Sequence, residues 1–202
     1  MLESEITYAE LAVKSIKESE KKNKVDYVHP QNDIKEGFII INYKKRNIKW
    51  KELMDGRLRM MVPEDWKLTE STNNSVYQYE ALTEKERMTL IYNGEVVMED
   101  DKAQIKQYIE NSRMPLVLLD SMEIPYENGN VLCNFLMDKK NTFFSLFFCR
   151  MGEGTLQGIF AMHRYRKKSW KHIIPQMLGT MEMLRNGVEE DSKKQFFTET
   201  VV

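Results

Sequence analysis

Four apolar runs between residues 115 and 165, separated by turn sequences, constrain the fold more than any other feature. The runs are PLVLLDSMEIP (115–125), VLCNFLM (131–137), FFSLFFCR (143–150) and LQGIFAMHRY (156–165), with ENGN, DKKNT and MGEGT between them. Short β-branched and aromatic runs joined by glycine, asparagine and aspartate are typical of β-hairpins. The sequence therefore predicts consecutive antiparallel strands. MGEGT is expected to be a hairpin turn, since a phosphate-binding loop would need a Lys-Ser/Thr pair and a following helix.

A long apolar pattern after these strands predicts the last helix. Its members recur at the three- and four-residue spacing of one helix face. They are Trp170, Ile173, Ile174, Met177, Leu178, Met181 and Leu184. Pro175 within the pattern predicts either a late start, with proline in the first turn, or a kink. Asn186-Gly187 is a typical helix stop, so the helix is expected to continue to about this point.

The first half of the chain predicts further strands and two further helices. Residues 37–43, 57–63, 75–83 and 87–93 have the composition of strands. Residues 3–22 and 99–112 have the spacing of amphipathic helices. Residues 44–56 are expected to form a basic connector that ends in the turn Asp55-Gly56.

The stretch RLRMMVPEDW (57–66) is expected to be part of the architecture. Leu58, Met60 and Val62 are predicted to share one strand face. Pro63 cannot donate to a strand ladder and is expected to end the strand. The turn after it returns Trp66, whose ring can fill the end of a core layer.

Strands with helices outside them predict an α+β fold, in which an antiparallel meander sheet is flanked by helices and preceded by an N-terminal helical extension. The 202 residues suit one domain with appendages. We expect an amphipathic helix and linker over 1–35, the α+β domain over 36–187 and a flexible tail over 188–202.

Composition and the N-terminal sequence predict a cytoplasmic protein. Lys+Arg 30 against Asp+Glu 31 gives a net charge of −1, which argues against a dedicated nucleic-acid binder. MLESEITYAELAV lacks the basic start and continuous apolar run of a signal peptide. No apolar run approaches the ~20 residues of a membrane span. Cys133 and Cys149 are therefore expected to be free, buried thiols.

The hairpin strands are apolar on both faces, although an antiparallel sheet needs only one buried face. We expect Phe144, Leu146 and Phe148 to share a face with Phe160 and Met162, and the last helix to cover it. The opposite face then needs the helix over 99–112, the N-terminal helix or a partner to cover it. The candidate partner-binding residues on that face are Phe135, Met137, Phe143, Phe147, Ile159 and His163.

Motifs for catalysis or metal binding are absent from the sequence. His29, His163 and His172 are scattered, and neither cysteine has a CxxC partner. A nucleophile and base could be drawn from Cys149 or Ser145 with His163, but no nucleophile elbow surrounds them. We therefore expect no enzymatic activity, no cofactor and no metal.

Two segments interleave cations with aromatic residues, over 43–51 and 163–172. This pattern occurs on surfaces that bind single-stranded nucleic acid or phosphate, and also on ordinary solvated faces. The second segment is the better candidate, since its positive charges precede a helix start, where the helix dipole disfavours them. The candidate basic patch consists of Arg164, Arg166, Lys167, Lys168 and Lys171.

The order of these elements resembles that of the PsbP-like α/β/α sandwich superfamily. The matching landmarks are Leu58-Arg59-Met60-Met61-Val62-Pro63-Glu64-Asp65-Trp66, the hairpins of 115–165, and Trp170 ahead of the last helix, so the resemblance covers residues 57–185. The superfamily includes a Ran-binding nuclear factor, the photosystem II extrinsic protein, DcrB-type bacterial lipoproteins and Eag-type secretion chaperones. The resemblance implies binding without catalysis, and it supplies no catalytic residue.

These observations predict a bacterial, cytoplasmic, non-enzymatic protein-binding module. It is expected to be an accessory or chaperone-like factor that holds an apolar segment of a protein partner, such as a secretion effector, on the second sheet face. The alternative is nucleic-acid or phosphate-ligand binding through residues 163–172. Nothing in the sequence identifies the partner or a small ligand, separates monomer from dimer, or shows whether the N-terminal helix packs on the domain.

Overall fold

The computed structural model describes residues 33–41, 44–72, 75–81, 86–94, 101–112, 115–140 and 142–184. The helix predicted over 3–22 and the tail predicted over 188–202 lie outside these residues. The described chain opens with a 3-10 turn, Ile34–Glu36. The backbone N–H of Ile34 donates to the Oε1 of Gln176 at 3.1 Å, which fastens this turn to the last helix.

A four-stranded antiparallel sheet follows, in the spatial order β1-β2-β3-β11. Its strands are β1 (Phe38–Ile41), β2 (Lys44–Leu53), β3 (Leu58–Pro63) and β11 (Glu182–Met183). The prediction of a basic connector over 44–56 was wrong, because residues 44–53 form a ten-residue strand. Its many lysines mask the strand pattern, although Ile48 and Leu53 are buried within it.

The predicted meander is part of a seven-stranded antiparallel sheet, in the order β4-β5-β6-β10-β9-β8-β7. The strands are β4 (Trp66–Thr72), β5 (Val76–Ala81), β6 (Arg87–Asn93), β7 (Leu116–Tyr126), β8 (Gly129–Asp138), β9 (Thr142–Met151) and β10 (Gly154–His163). The four hairpin strands and the MGEGT turn are confirmed. The α+β class is confirmed as well, but the architecture has two sheets where one was expected.

In the described part of the chain two helices accompany the sheets: α1 (Asp101–Asn111) and α2 (Lys167–Leu178), the latter preceded by a 3-10 turn, Arg164–Arg166. The predicted continuation of α2 to Leu184 was wrong. The Thr180 hydroxyl donates to the Met177 carbonyl at 2.7 Å and accepts from the Met61 backbone N–H at 3.0 Å. Residues 182–183 then pair with β3 as β11, so pairing with a distant strand ends the helix early. No helix among the described residues is long and apolar enough to cross a membrane.

The two faces of the large sheet bury different sets of residues. The inner face packs against α2 and the small sheet in one core, and the outer face packs against α1 in a separate cluster. Inner-face residues include Cys133, Phe135, Phe143, Phe147, Phe160 and Met162. Outer-face residues include Leu132, Leu136, Phe144, Leu146, Phe148 and Ile159.

The predicted faces of β10 and the predicted position of α2 were both wrong. In the β9–β10 pair Phe160 lies opposite Ser145 and Ile159 opposite Leu146. Because side chains alternate along a strand, a slip of one residue exchanges every face assignment. Phe160 and Met162 therefore join the inner face, and α2 covers that face instead of the one carrying Phe144.

Trp66 occupies the centre of the inner core and is only 1% exposed. Its ring stacks on that of Trp170 with the centroids 5.7 Å apart, and it contacts Phe160 at 6.1 Å. The predicted role of Trp66 as a core plug is confirmed, although it also begins a strand, β4, that was not predicted. At Gly158 a Cβ would lie 2.0 Å from the Phe147 ring, so this position lets the ring lie flat on β10.

Candidate functional site

Four of the six predicted partner-binding residues lie in the interior. Phe135, Phe143 and Phe147 are 0% exposed, and Met137 is also buried. The first three belong to the core that α2 and the small sheet cover, so these four side chains are not available to a partner. Their exposure was mispredicted because α2 was assigned to the other face of the sheet.

The other two predicted residues, Ile159 and His163, lie on the outer face. Ile159 is half-buried and packs at the margin of the α1 cluster. His163 ends β10 and is exposed. Alternation along β10 places Gln157, Ile159, Ala161 and His163 on this one face.

The candidate basic patch is divided by the structure. Arg164, Arg166, Lys167 and Lys168 stay together where β10 passes into α2. Lys171 lies one turn further along α2 and pairs with Asp120 of β7, beside the Phe135 ring. The hydrogen bond from Lys171 lowers the pKa of Asp120, and the pair links α2 to β7.

Three further cations, which sequence reasoning missed, lie at the same edge of the large sheet. Arg87 begins β6, and Lys139 and Lys140 form the turn between β8 and β9. Strand starts and ends alternate along each edge of an antiparallel sheet, so these residues come close to the end of β10. The strand order itself, with β6 beside β10, could not be read from the sequence. We call this edge the basic end: Arg87, Lys139, Lys140, His163, Arg164, Arg166, Lys167 and Lys168.

A cleft of about 490 Å³ opens on the outer face at the basic end. Phe144 and Ala161 supply its apolar side chains, and Arg87 and His163 add polar groups. The full lining is Glu80, Glu86, Arg87, Thr142, Phe144, Ala161, Met162 and His163. This volume lies within the roughly 300–1,000 Å³ of typical ligand-binding clefts. We call it the basic-end cleft.

A buried network centred on Glu86 supports the wall of this cleft. Glu86 is 2% exposed, and its carboxylate accepts from Arg46 at 2.5 Å, from Arg166 at 2.8 Å and from the Trp170 indole at 2.9 Å. Arg46 also donates to both oxygens of Asp65, at 2.8 and 2.9 Å. Strand β2, the turn before β4 and helix α2 are thereby fixed to the start of β6.

The charges of this network stabilise one another. Burial opposes the charge on Arg46, but Glu86 and Asp65 outweigh that effect and raise the pKa of the Arg46 guanidinium above its ordinary value. A buried carboxylate held by two guanidinium groups is satisfied in charge and in hydrogen bonds. Glu86 is therefore a structural anion, already neutralised by its own chain.

Both carboxylates of the cleft lining are paired with arginines of this chain. The other acidic lining residue, Glu80, is also neutralised, since Arg87 donates to it at 2.7 Å. Lys139 and Lys140, exposed in the turn just before Thr142 of the lining, add positive charge beside the cleft. Among the described residues this region therefore presents an environment that favours an anionic group.

A stacked aromatic surface forms the rim of the basic end. The rings of His163 and Tyr165 have centroids 4.6 Å apart, and the Arg164 guanidinium lies 5.0 Å from the Tyr165 centroid. Tyr165 is 50% exposed. Exposed aromatic side chains next to arginine are enriched at the energetic centres of protein interfaces.

A second cleft of about 460 Å³ lies between α1 and the outer face. Its side chains are neutral, and amides predominate. They are Gln104, Gln107, Tyr108, Asn111, Ser112, Phe148 and Gln157. Burial raises the pKa of Tyr108, so its phenol stays protonated. We call this the amide cleft.

The structure does not assemble a nucleophile with His163. The Ser145 hydroxyl lies 2.9 Å from the Cys133 sulfur on the inner face, whereas His163 belongs to the outer face. Burial raises the pKa of Cys133 to about 12, so this thiol is not ionised at neutral pH. Cys149 is also free and buried, which confirms the prediction of two free thiols. Among the described ranges no group of three or more His, Cys, Asp or Glu residues could hold a metal ion.

Comparisons with known proteins identify the fold. No family model and no curated protein matches the sequence. The structure is similar to the Saccharomyces cerevisiae Ran-binding protein Mog1p, with a TM-score of 0.55 and 11% identity over 68% of this chain and 96% of that chain. It is also similar to the cyanobacterial PsbP of Synechocystis sp. PCC 6803, with a TM-score of 0.55 and 8% identity over 68% of this chain and 92% of that chain. The expected PsbP-like fold is confirmed.

Proposed function

We propose that this protein is a non-enzymatic protein-binding module that holds an apolar segment of a partner protein on the outer face of its large sheet, at the basic-end cleft. The observation that carries the proposal is an apolar cleft surface, from Phe144 and Ala161, next to a turn that exposes Lys139 and Lys140. Such a site suits a protein segment that carries both an apolar side chain and an anion.

The fold supports a binding role. Mog1p, which is described as a Ran-binding protein, has the same fold as this chain. The nucleophilic side chains that the sequence offered, Cys149 and Ser145, are buried on the inner face. We therefore favour recognition over catalysis, and an accessory or chaperone-like role in which the module shields an apolar stretch of its partner.

Site-specific photocrosslinking in a lysate tests this proposal. A photoreactive residue at His163 lies at the rim of the basic-end cleft, and one at Glu153, in the turn at the opposite end of β10, is the matched control. We expect one protein to crosslink from position 163 and not from 153. Equal crosslinking from both positions, or none from 163, would contradict the proposal.

A second candidate function is the binding of nucleic acid or a phosphate ligand at the basic end. Its support is the number of cations that the fold gathers there, beyond those of the 163–172 segment. Fluorescence anisotropy with a single-stranded oligonucleotide, measured over a salt series, tests it, because phosphate contacts make affinity fall steeply with salt. Absent or salt-independent binding would remove this candidate.

A further inference from the structure

The two clefts of the outer face are connected by one row of side chains on β10. Gln157 lines the amide cleft, and Ala161 and His163 line the basic-end cleft. Ile159 lies between them and is half-buried. We call these four residues the β10 row. At the rise of an antiparallel strand, the six residue-to-residue steps from Gln157 to His163 span about 20 Å.

Helix α1 packs on the outer face next to this row, and Ile159 belongs to the margin of its cluster. Its apolar residues Ile105, Tyr108 and Ile109 pack with Leu136 and Leu146, on the neighbouring strands β8 and β9. Tyr108 also lines the amide cleft together with Phe148 and Gln157. The two clefts therefore lie at the two ends of the β10 row, on the face of the sheet that α1 partly covers.

We propose that the two clefts are the ends of one track, and that the track binds a single extended segment of the partner with a fixed direction. This inference rests on the proposed function. One terminus of the segment lies at the basic end and carries carboxylates. The middle of the segment places an apolar side chain over Ile159. Neutral amide or hydroxyl side chains occupy the end that reaches the amide cleft.

Charge complementarity determines this composition. At the basic end Glu80 and Glu86 are already paired with arginines, so the exposed lysines Lys139 and Lys140 favour an acidic segment. The amide cleft offers hydrogen-bond donors and acceptors but no charge, so burying an ionised side chain there costs free energy that nothing compensates.

The opposite edge of the sheet reinforces the direction. The turns there expose two carboxylates, Glu127 between β7 and β8 and Glu153 between β9 and β10, with Arg150 of β9 as the nearby cation. A segment that ran the other way would bring its carboxylates towards these two residues and away from the basic end. Repulsion against one orientation is a common source of binding specificity.

Selection from a displayed library of random twelve-residue peptides tests the track on the 202-residue chain. We expect enriched peptides to carry acidic residues at one end, an apolar residue near the centre and neutral amide or hydroxyl residues at the other end. One such peptide, added to the isotope-labelled chain, is expected to shift the amide resonances of both Gln157 and His163.

Two charge variants sharpen this test. Lys140→Glu at the basic end is expected to lower the affinity for the selected peptide by about three- to tenfold. This is the effect expected when one surface charge contact becomes repulsive. Lys35→Glu makes the same charge change in the exposed 3-10 turn before β1 and is expected to leave binding unchanged.

The outcomes separate the track from the proposed function. Peptides that bind but shift the amide resonances of only one cleft would overturn the track. Enriched peptides with no preferred end for their acidic residues would overturn it as well. Either result would leave the proposal of a protein-binding module in place. Equal weakening by Lys140→Glu and Lys35→Glu also overturns the track. A selection that enriches no peptide contradicts both proposals.

Discussion

The two faces of the large sheet differ in how completely they are covered. The inner face meets α2 and the small sheet, and its aromatic residues Phe135, Phe143 and Phe147 have no solvent exposure. The outer face meets α1, and Phe144 and Ile159 at its margin remain half-buried. Both faces are apolar along β8 and β9, so apolar composition alone does not distinguish the architectural face from the proposed binding face. The two faces are distinguished by how completely α2 with the small sheet, or α1, buries their side chains.

The largest effect is expected at the centre of the inner core. Trp66→Ala removes a buried ring that stacks on Trp170, and we expect it to lower the free energy of unfolding by about 3–5 kcal/mol. Urea denaturation measures this loss. Leu68→Ala on the same strand is the control: Leu68 is 49% exposed, so a change within about 0.5 kcal/mol is expected. Similar losses for the two variants would contradict the assignment of Trp66 to the core.

The Glu86 network is expected to give the next largest effect. Glu86→Gln leaves the guanidinium groups of Arg46 and Arg166 without their shared buried anion, so a loss of about 3 kcal/mol is expected in the same assay. The matched control, Glu80→Gln, removes an exposed pair with Arg87 and is expected to cost about 1 kcal/mol or less. If the control cost as much, the buried network would not be what braces the cleft.

A smaller effect is expected where β10 lies under Phe147. Gly158→Ala places a methyl group against the Phe147 ring, and overpacking of this kind costs about 1–3 kcal/mol. Thermal unfolding monitors the change. Gly94→Ala, at a position where a Cβ meets no atom within 4 Å, is the control. Equal stability of the two variants would show that the inner face is not closely packed at this point.

The smallest effect on stability is expected on the outer face. Ile159→Ala trims a half-buried side chain at the margin of the α1 cluster, so we expect a loss of about 1 kcal/mol. Ile173→Ala in α2 empties a fully buried inner position and is expected to cost about 2–5 kcal/mol. Denaturation curves of the pair compare the two faces, and a larger loss at Ile159 would mean that the outer face is the better packed of the two.

The parts of the fold that the sequence predicted are those fixed by local chemistry. The hairpins of 115–165 follow from strand composition and turn residues within a few positions of each other. The burial of Trp66 follows from the turn after Pro63. Strand β2 was missed because its lysines interrupt the apolar pattern, although the neighbouring strands bury Ile48 and Leu53.

The parts that the sequence could not predict depend on pairing between distant residues. The face of Phe160 depends on the β9–β10 register, where a slip of one residue reverses the result. The end of α2 depends on β11 pairing with Leu58 and Arg59 of β3. Predicting the basic end would have required the strand order, because Arg87 comes close to His163 only where β6 lies beside β10.

The role of the outer face as the binding face is tested most directly by a titration of the methyl-labelled protein with the partner crosslinked from position 163. The methyl resonances of Ile159, on the outer face, and of Ile173, in the inner core, report on the two faces in one experiment. We predict that the Ile159 signal shifts or broadens as the partner is added while the Ile173 signal stays unchanged. A shift of Ile173 with no change at Ile159 would contradict the assignment of the outer face as the binding face.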